Sequence, residues 1–323
     1  MSLIPHSWKR FSSMCNKSMK KILAKLLVIP SIVIAMSGCT GLHRLAYMYS
    51  YNALDPNVHH YKDGGKSIYY EFHVGDKTND TFIFFYGGSG CVSWKSVLPG
   101  YVDGLSTPAK VLALNKRHVG DRSTGMMGCN KKFHLYNNIE QWVSDYSDFI
   151  LSQIGKGEHR PKNVVLVGVS EGVIPAVRVA GRFPFVTHLA VIGGGGFTMR
   201  ASLKMLYRKG DILFDVDDGW RRIKEKPDSI DDTWYGNTYR WWSQILDYDY
   251  LPYFLDLNIP VLVGIGEQDE SVPVESAYFL RDRFHAAGKK NLILKVYPMA
   301  NHRLISKSVD YKKEFFNTLG SML

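Results

Sequence analysis

No stretch of this sequence is convincing as a transmembrane helix. The apolar stretch Ile22 to Met36 is short and broken by Pro30, whereas a spanning helix needs about 20 consecutive apolar residues. Acidic residues are missing before Cys39, the segment that carries Lys9, Arg10, Lys17, Lys20, Lys21 and Lys25. That absence accounts for most of the formal net charge of +10, because past this segment 34 Lys and Arg face 30 Asp and Glu. The body of the chain also lacks a basic run interleaved with aromatics, which argues against nucleic acid as a partner. Internal repeats and low-complexity tracts are absent too, which excludes repeat arrays. What is present is 45% apolar and 13% aromatic content over 323 residues. That is enough for one large core with an inserted subdomain, and it excludes disorder.

The basic, acid-free start has its own explanation in export. Met19-Lys20-Lys21 followed by Ile22 to Met36 reads as the basic and apolar regions of a signal peptide. The segment ends in Met36-Ser37-Gly38-Cys39, which resembles the bacterial lipoprotein box, with Met36 where Leu is usual. That resemblance implies a lipidated (palmitoylated) Cys39 as mature N-terminus and a membrane-anchored protein of the bacterial cell envelope, facing the periplasm. An uncleaved anchor and a free buried Cys39 are the alternatives. Met1 to Ser18 are superfluous to such a signal, so the start could be Met19 as well as Met1. Export would place Cys91 and Cys129 in an oxidising compartment, where they could pair; two free thiols are the other outcome.

Past Cys39 a polar, Tyr-rich tether runs to residue 65. Thr81 to Tyr86 is a strand buried on both faces and empties into Gly87-Gly88-Ser89-Gly90. Strands are also expected at Ser67 to Val74, Lys110 to Leu114, Val164 to Val167, Leu189 to Ile192, Ile259 to Ile265 and Leu292 to Tyr297. Between them lie helical patterns, above all Asn138 to Ile154, with Ile139, Trp142, Val143, Tyr146, Phe149 and Ile150 on one stripe. Strand alternating with helix predicts an α/β fold with a doubly wound, mostly parallel sheet. The interval 197–257, rich in Trp, Tyr, Asp and Arg, breaks the rhythm and reads as a helical insertion. The chain therefore divides into a targeting segment 1–38, a tether 39–65, a core in two parts, 66–196 and 258–323, and the insertion 197–257.

The chemistry centres on Gly168-Val169-Ser170-Glu171-Gly172, directly after a buried strand and before a helix. A sharp strand-to-helix turn that exposes a serine needs glycines on either side, where the backbones crowd. The pattern alone recurs by chance in Gly-rich loops, so its partners must be found. A serine hydroxyl becomes a nucleophile only beside a base, and the base needs a third group to hold its tautomer. In doubly wound sheets these groups come from loops beyond the carboxyl ends of strands. Asp269, at the end of Val261 to Asp269, satisfies this, with Glu267 and Glu270 as rivals; His302 follows the last strand, whereas His285 lies inside a helix. A developing oxyanion needs two backbone N–H groups. Glu171 supplies one and the loop after the earlier strand the other, at Gly88 or Ser89. Ser89 itself is a rival nucleophile in a Gly-rich turn, but no helix begins at it.

With FFYGGSG at 84–90, GVSEG at 168–172, GIGEQDESVP at 264–273 and ANHR at 300–303, the chain resembles the α/β-hydrolase superfamily from about Ser67 to Leu319. The resemblance implies an eight-stranded core and a cap at 197–257, an interval that includes Trp220, Trp234, Trp241 and Trp242 and whose aromatics would line the acyl or leaving-group pocket. It departs at Tyr86, where many members carry His. The implied function is a serine hydrolase of the esterase, lipase or peptidase type, with Ser170, Asp269 and His302 as triad and a small-molecule or peptidic substrate. It requires neither metal nor organic cofactor. Two alternatives stand beside it. One is an aminopeptidase-like amide hydrolase, with Asp217, Asp218, Asp231 and Asp232 binding a substrate amine; the other is a catalytically silent envelope binding protein.

Overall fold

The computed structural model describes residues 54–76, 80–125, 128–155 and 160–323. The signal segment, Cys39 and the first part of the tether lie outside them. Among the described residues no helix is long and apolar enough to cross a membrane.

An eight-stranded sheet forms the centre, in the order β1 (Asn57–His60), β2 (Lys66–Val74), β4 (Ala109–Leu114), β3 (Thr81–Tyr86), β5 (Asn163–Val169), β6 (His188–Ile192), β9 (Val261–Gly266) and β10 (Leu292–Tyr297). β1 and β2 run antiparallel to their neighbours and every other pair is parallel. The fold is thus the expected α/β, doubly wound, mostly parallel sheet. Asn57–His60, placed by composition within the tether, is an edge strand that pairs with β2 and exposes all but one of its residues.

Alternation along the central strands explains both faces of the core. Phe82, Phe84 and Tyr86 join Leu166 and the stripe of α3 (Ile139–Ile154) on one side of the sheet, where α4 (Val173–Arg182) also packs. Ile83 and Phe85 join Val165, Val167, Phe315 and Phe316 on the other, against α1 (Leu98–Val102) and α10 (Lys312–Gly320). A strand buried on both faces has to be apolar throughout, and all six residues of β3 are buried.

The order of strands decides where a ligand can enter. From β3 the chain moves to β4 on one side, then crosses back to β5 on the other. The loops leaving the carboxyl ends of β3 and β5 therefore diverge and open a crevice between them, the switch point of a doubly wound sheet. Register sets Tyr86 opposite Gly168, so the Gly-rich loop after β3 and the turn after β5 start side by side.

The interval 197–257 holds α5 (Met199–Lys209), α6 (Val216–Glu225), a short hairpin of β7 (Thr233–Trp234) and β8 (Asn237–Thr238), α7 (Tyr239–Ile245) and α8 (Leu251–Asp256). Of the cap aromatics that the resemblance set along the pocket, Phe197 and Tyr250 line a cavity with Ser170, whereas the tryptophans do not. Trp234, Trp241 and Trp242 are buried against one another, with ring centroids 4.8 Å apart for Trp234 and Trp242 and 4.5 Å for Trp241 and Trp242. The Trp242 indole N–H donates to the Trp234 carbonyl. Trp220 lies under the Arg200 guanidinium. The rings of Trp234, Trp241 and Trp242 belong to the same buried cluster as Phe84, Leu166 and Val177, so the insertion packs as part of the core on that face of the sheet.

Candidate active site

The turn after β5 is strained where a nucleophile elbow would be. Ser170 has φ 55°, a left-handed conformation that costs a side-chain-bearing residue free energy and persists only where its surroundings impose it. Those surroundings are crowded backbone. A Cβ at Gly168 would stand 2.7 Å from the Cα of Val173, and one at Gly172 would collide with the Tyr86 carbonyl. Both glycines of the motif are thus required for close approach.

The Gly-rich loop after β3 lies against this serine. A Cβ at Gly88 would be 3.2 Å from the Ser170 Cβ and 3.8 Å from its Oγ. Tyr86, the departure from the superfamily pattern, takes no part in the loop: its ring is fully buried, 4.1 Å from that of Tyr146, and burial pushes its hydroxyl pKa well up. The Gly87 N–H donates to the Tyr146 hydroxyl at 3.4 Å.

A buried ion pair that sequence reasoning missed holds this loop. Lys116, two residues past β4, places its ammonium 2.7 Å from Glu171 Oε1 and 2.9 Å from the Gly88 carbonyl oxygen, and 4.1 Å over the Trp142 ring. Ser89 Oγ donates to the other oxygen of Glu171 at 2.7 Å. The Glu171 side chain is 0% and that of Lys116 6% exposed. Glu171 entered the sequence reading for its backbone alone; the hint for Lys116 was its place in Asn115-Lys116-Arg117, charged residues just beyond a strand's carboxyl end. A carboxylate this deeply buried depends on its cation. Lys116→Met is expected to lower stability by about 3–5 kcal/mol, and adding Glu171→Gln should recover part of the loss. Urea unfolding of the three proteins measures this, and equal midpoints would show the pair to be dispensable.

Asp269 and His302 meet as the sequence placed them. The His302 Nδ1 lies 2.8 Å from Asp269 Oδ2 and 2.9 Å from Oδ1, and the Asp269 side chain is wholly buried. The backbone N–H groups of Ser271 and Val272 donate to Asp269 Oδ1 at 2.9 and 2.8 Å and fix the carboxylate. The rival acids serve the backbone: Glu270 accepts from the His302 N–H and Glu267 from the Met299 N–H. His285 is exposed on α9 (Val274–Ala286). The imidazole packs on Gly193 at the end of β6, where a Cβ would come within 2.7 Å of its Cε1. Gly193 and Ser170 both line one small cavity, and His302 packs on its Gly193 side.

Cys91 and Cys129 are joined by a disulfide, with Cα atoms 5.7 Å apart. It fastens the downstream end of the Gly-rich loop to the segment before α2 (Lys131–Tyr136). The four cap acids of the aminopeptidase-like alternative each face a cation: Asp217 with Arg200 and Lys204, Asp218 with Arg221 and Arg222, Asp231 with Lys131, and Asp232 with Lys226.

Solved structures of similar fold include an esterase of Pyrococcus furiosus, at 16% identity and TM-score 0.55, covering 92% of this chain and 96% of that one. Est1E of Butyrivibrio proteoclasticus with ferulic acid bound matches at 16% identity and TM-score 0.59, over 80% of this chain and 96% of the other. The Pyrococcus horikoshii acylaminoacyl peptidase matches at 12% identity and TM-score 0.56, over 89% of this chain and 43% of the peptidase. Among curated proteins none matches the chain significantly. The sequence profile of the prolyl oligopeptidase family matches residues 136–319, which is more than half of the chain. With this match and an α/β-hydrolase sheet, the protein belongs to the prolyl oligopeptidase family and is a hydrolase.

Proposed function

We propose that the protein is a serine hydrolase that cleaves an ester, thioester or amide carbonyl through an acyl-enzyme on Ser170. The observation that carries this is the strained Ser170, set in one cavity with the glycine on which the Asp269-bound imidazole rests. Asp269 accepts the Nδ1 proton of His302, which leaves Nε2 as the base for the Ser170 hydroxyl. Ser170 Oγ attacks the carbonyl carbon, and the proton passes to Nε2. The tetrahedral oxyanion is held by the N–H of Glu171 and by that of Ser89. Of the two earlier candidates, Gly88 and Ser89, the Lys116 contact favours Ser89: with the Gly88 carbonyl drawn to the ammonium, the N–H of the same trans peptide points the opposite way. Collapse expels the leaving group, which takes the proton from Nε2; water then repeats the sequence and frees Ser170.

The aminopeptidase-like alternative has less support, because Asp217, Asp218, Asp231 and Asp232 each already face a cation at the surface. The silent binding protein has less still, since the chain keeps a strained Ser170 and an Asp269–His302 pair, which binding alone would not require. Turnover of p-nitrophenyl acetate alongside a panel of aminoacyl-naphthylamides separates the readings. Ester hydrolysis with little amide cleavage is expected. Preferential cleavage of the naphthylamides would select the peptidase, and a folded protein inert to both and to a fluorophosphonate would select the binding role.

A further inference from the structure

The Lys116 ammonium and the Glu171 carboxylate are buried and take no part in the proton transfers described above, yet together they bridge the two loops that supply the oxyanion donors. Glu171 belongs to the elbow: its N–H is one donor, and its side chain, 0% exposed, reaches across to the Gly-rich loop. There Oε2 accepts from the Ser89 hydroxyl at 2.7 Å, while Oε1 meets the Lys116 ammonium at 2.7 Å. Lys116 closes the circuit by donating to the Gly88 carbonyl at 2.9 Å. The residue that carries one donor thus grips the peptide that carries the other, across 82 positions of sequence.

Such a grip is needed there. Gly87, Gly88 and Gly90 leave the loop with little conformational preference of its own, whereas an oxyanion site works only if its donors are aimed before the charge develops. One end of the loop is fixed by β3 and the other by the Cys91–Cys129 disulfide. Between those anchors the Gly87 N–H makes a long bond, 3.4 Å, to the Tyr146 hydroxyl; the shorter contacts are those to Lys116 and Glu171. The ammonium also acts on the peptide electronically. A cation at the Gly88 carbonyl draws charge from the amide and strengthens the Ser89 N–H as a donor. Stability alone does not account for the pair, since well-packed apolar side chains in place of a buried ion pair are often as stabilising or more so. Resting on the acyl-enzyme reading above, we infer that Lys116 and the Glu171 carboxylate are positioning residues, which fix the Gly88–Ser89 peptide against the Glu171 N–H and so set the geometry of the oxyanion site.

The test separates positioning from neutralisation of a buried charge. In Lys116→Met/Glu171→Gln no charge is left unpaired, so urea stability should return towards that of the parent. The Gly88 carbonyl has nonetheless lost its ammonium, and kcat for p-nitrophenyl acetate should stay about 100-fold down, roughly the cost of one oxyanion donor, with KM nearly unchanged. Ser89→Ala, at an exposed position, removes one arm of the grip and keeps the backbone N–H; its kcat should fall about tenfold, again with little change in KM. Recovery of kcat along with stability in the double variant, a loss that falls on KM instead, or an unchanged kcat in Ser89→Ala would overturn the inference. Fluorophosphonate labelling keeps the two levels apart. A parent labelled on Ser170 whose variants keep their kcat loses only the present inference, and a parent that neither labels nor hydrolyses esters loses the serine-hydrolase reading and this one together.

Discussion

Ser170→Ala is expected to lower turnover of p-nitrophenyl acetate by about 10,000-fold or more with the fold intact. The size follows from what is removed. Without Oγ no acyl-enzyme forms, His302 has no proton to take, and only the donor loop and the binding cavity remain to assist water. The fold should survive because Ser170 is held by its neighbours rather than holding them. Its φ of 55° is imposed by the crowding of Gly168 and Gly172 against Val173 and Tyr86, and alanine meets the same backbone. Circular dichroism and thermal unfolding of the variant check this part. Activity within tenfold of the parent would exclude Ser170 as nucleophile.

Asp269→Asn should cost nearly as much, about 10,000-fold in kcat with little change in KM. Here the cause is tautomeric. Asp269 Oδ1 already accepts from the amides of Ser271 and Val272, so an asparagine would turn its oxygen to those donors and its NH2 to the histidine. His302 Nδ1 would then have to accept rather than donate, and the ring proton would move to Nε2, where the base is needed. Steady-state kinetics of a variant with unaltered thermal unfolding makes the measurement. A loss below tenfold would mean that another group, Glu270 foremost, orients the imidazole.

These residues could be found in the sequence because their signals are local. A buried run, a serine between glycines and a following helix stand within a few positions, and Asp269 and His302 each follow their own strand. The fold was legible for the same reason: β3 and β5 are apolar on both faces, which only a covered, parallel sheet requires. Features made by distant partners were not legible. Lys116 meets Glu171 across 55 positions, and nothing near either residue announces the pair. Asn57–His60 carries no alternation strong enough to mark a strand, because an edge strand with one buried residue needs none. Aromatic content identified the interval 197–257 as unusual but not which way each ring turns; Trp234, Trp241 and Trp242 join the buried core, and Phe197 and Tyr250 line the cavity. Cys91 and Cys129 are adjacent only once the loop after β3 and the segment before α2 have been brought together.

On the proposal above, Ser170 carries the nucleophilic oxygen of a serine hydrolase. Incubation of the full protein with a fluorophosphonate, followed by proteolysis and mass spectrometry, reads it most directly. One adduct per chain, located on Ser170 and lost in His302→Ala, is the predicted result. An adduct on Ser89, or none on a folded protein that still hydrolyses esters, would contradict it.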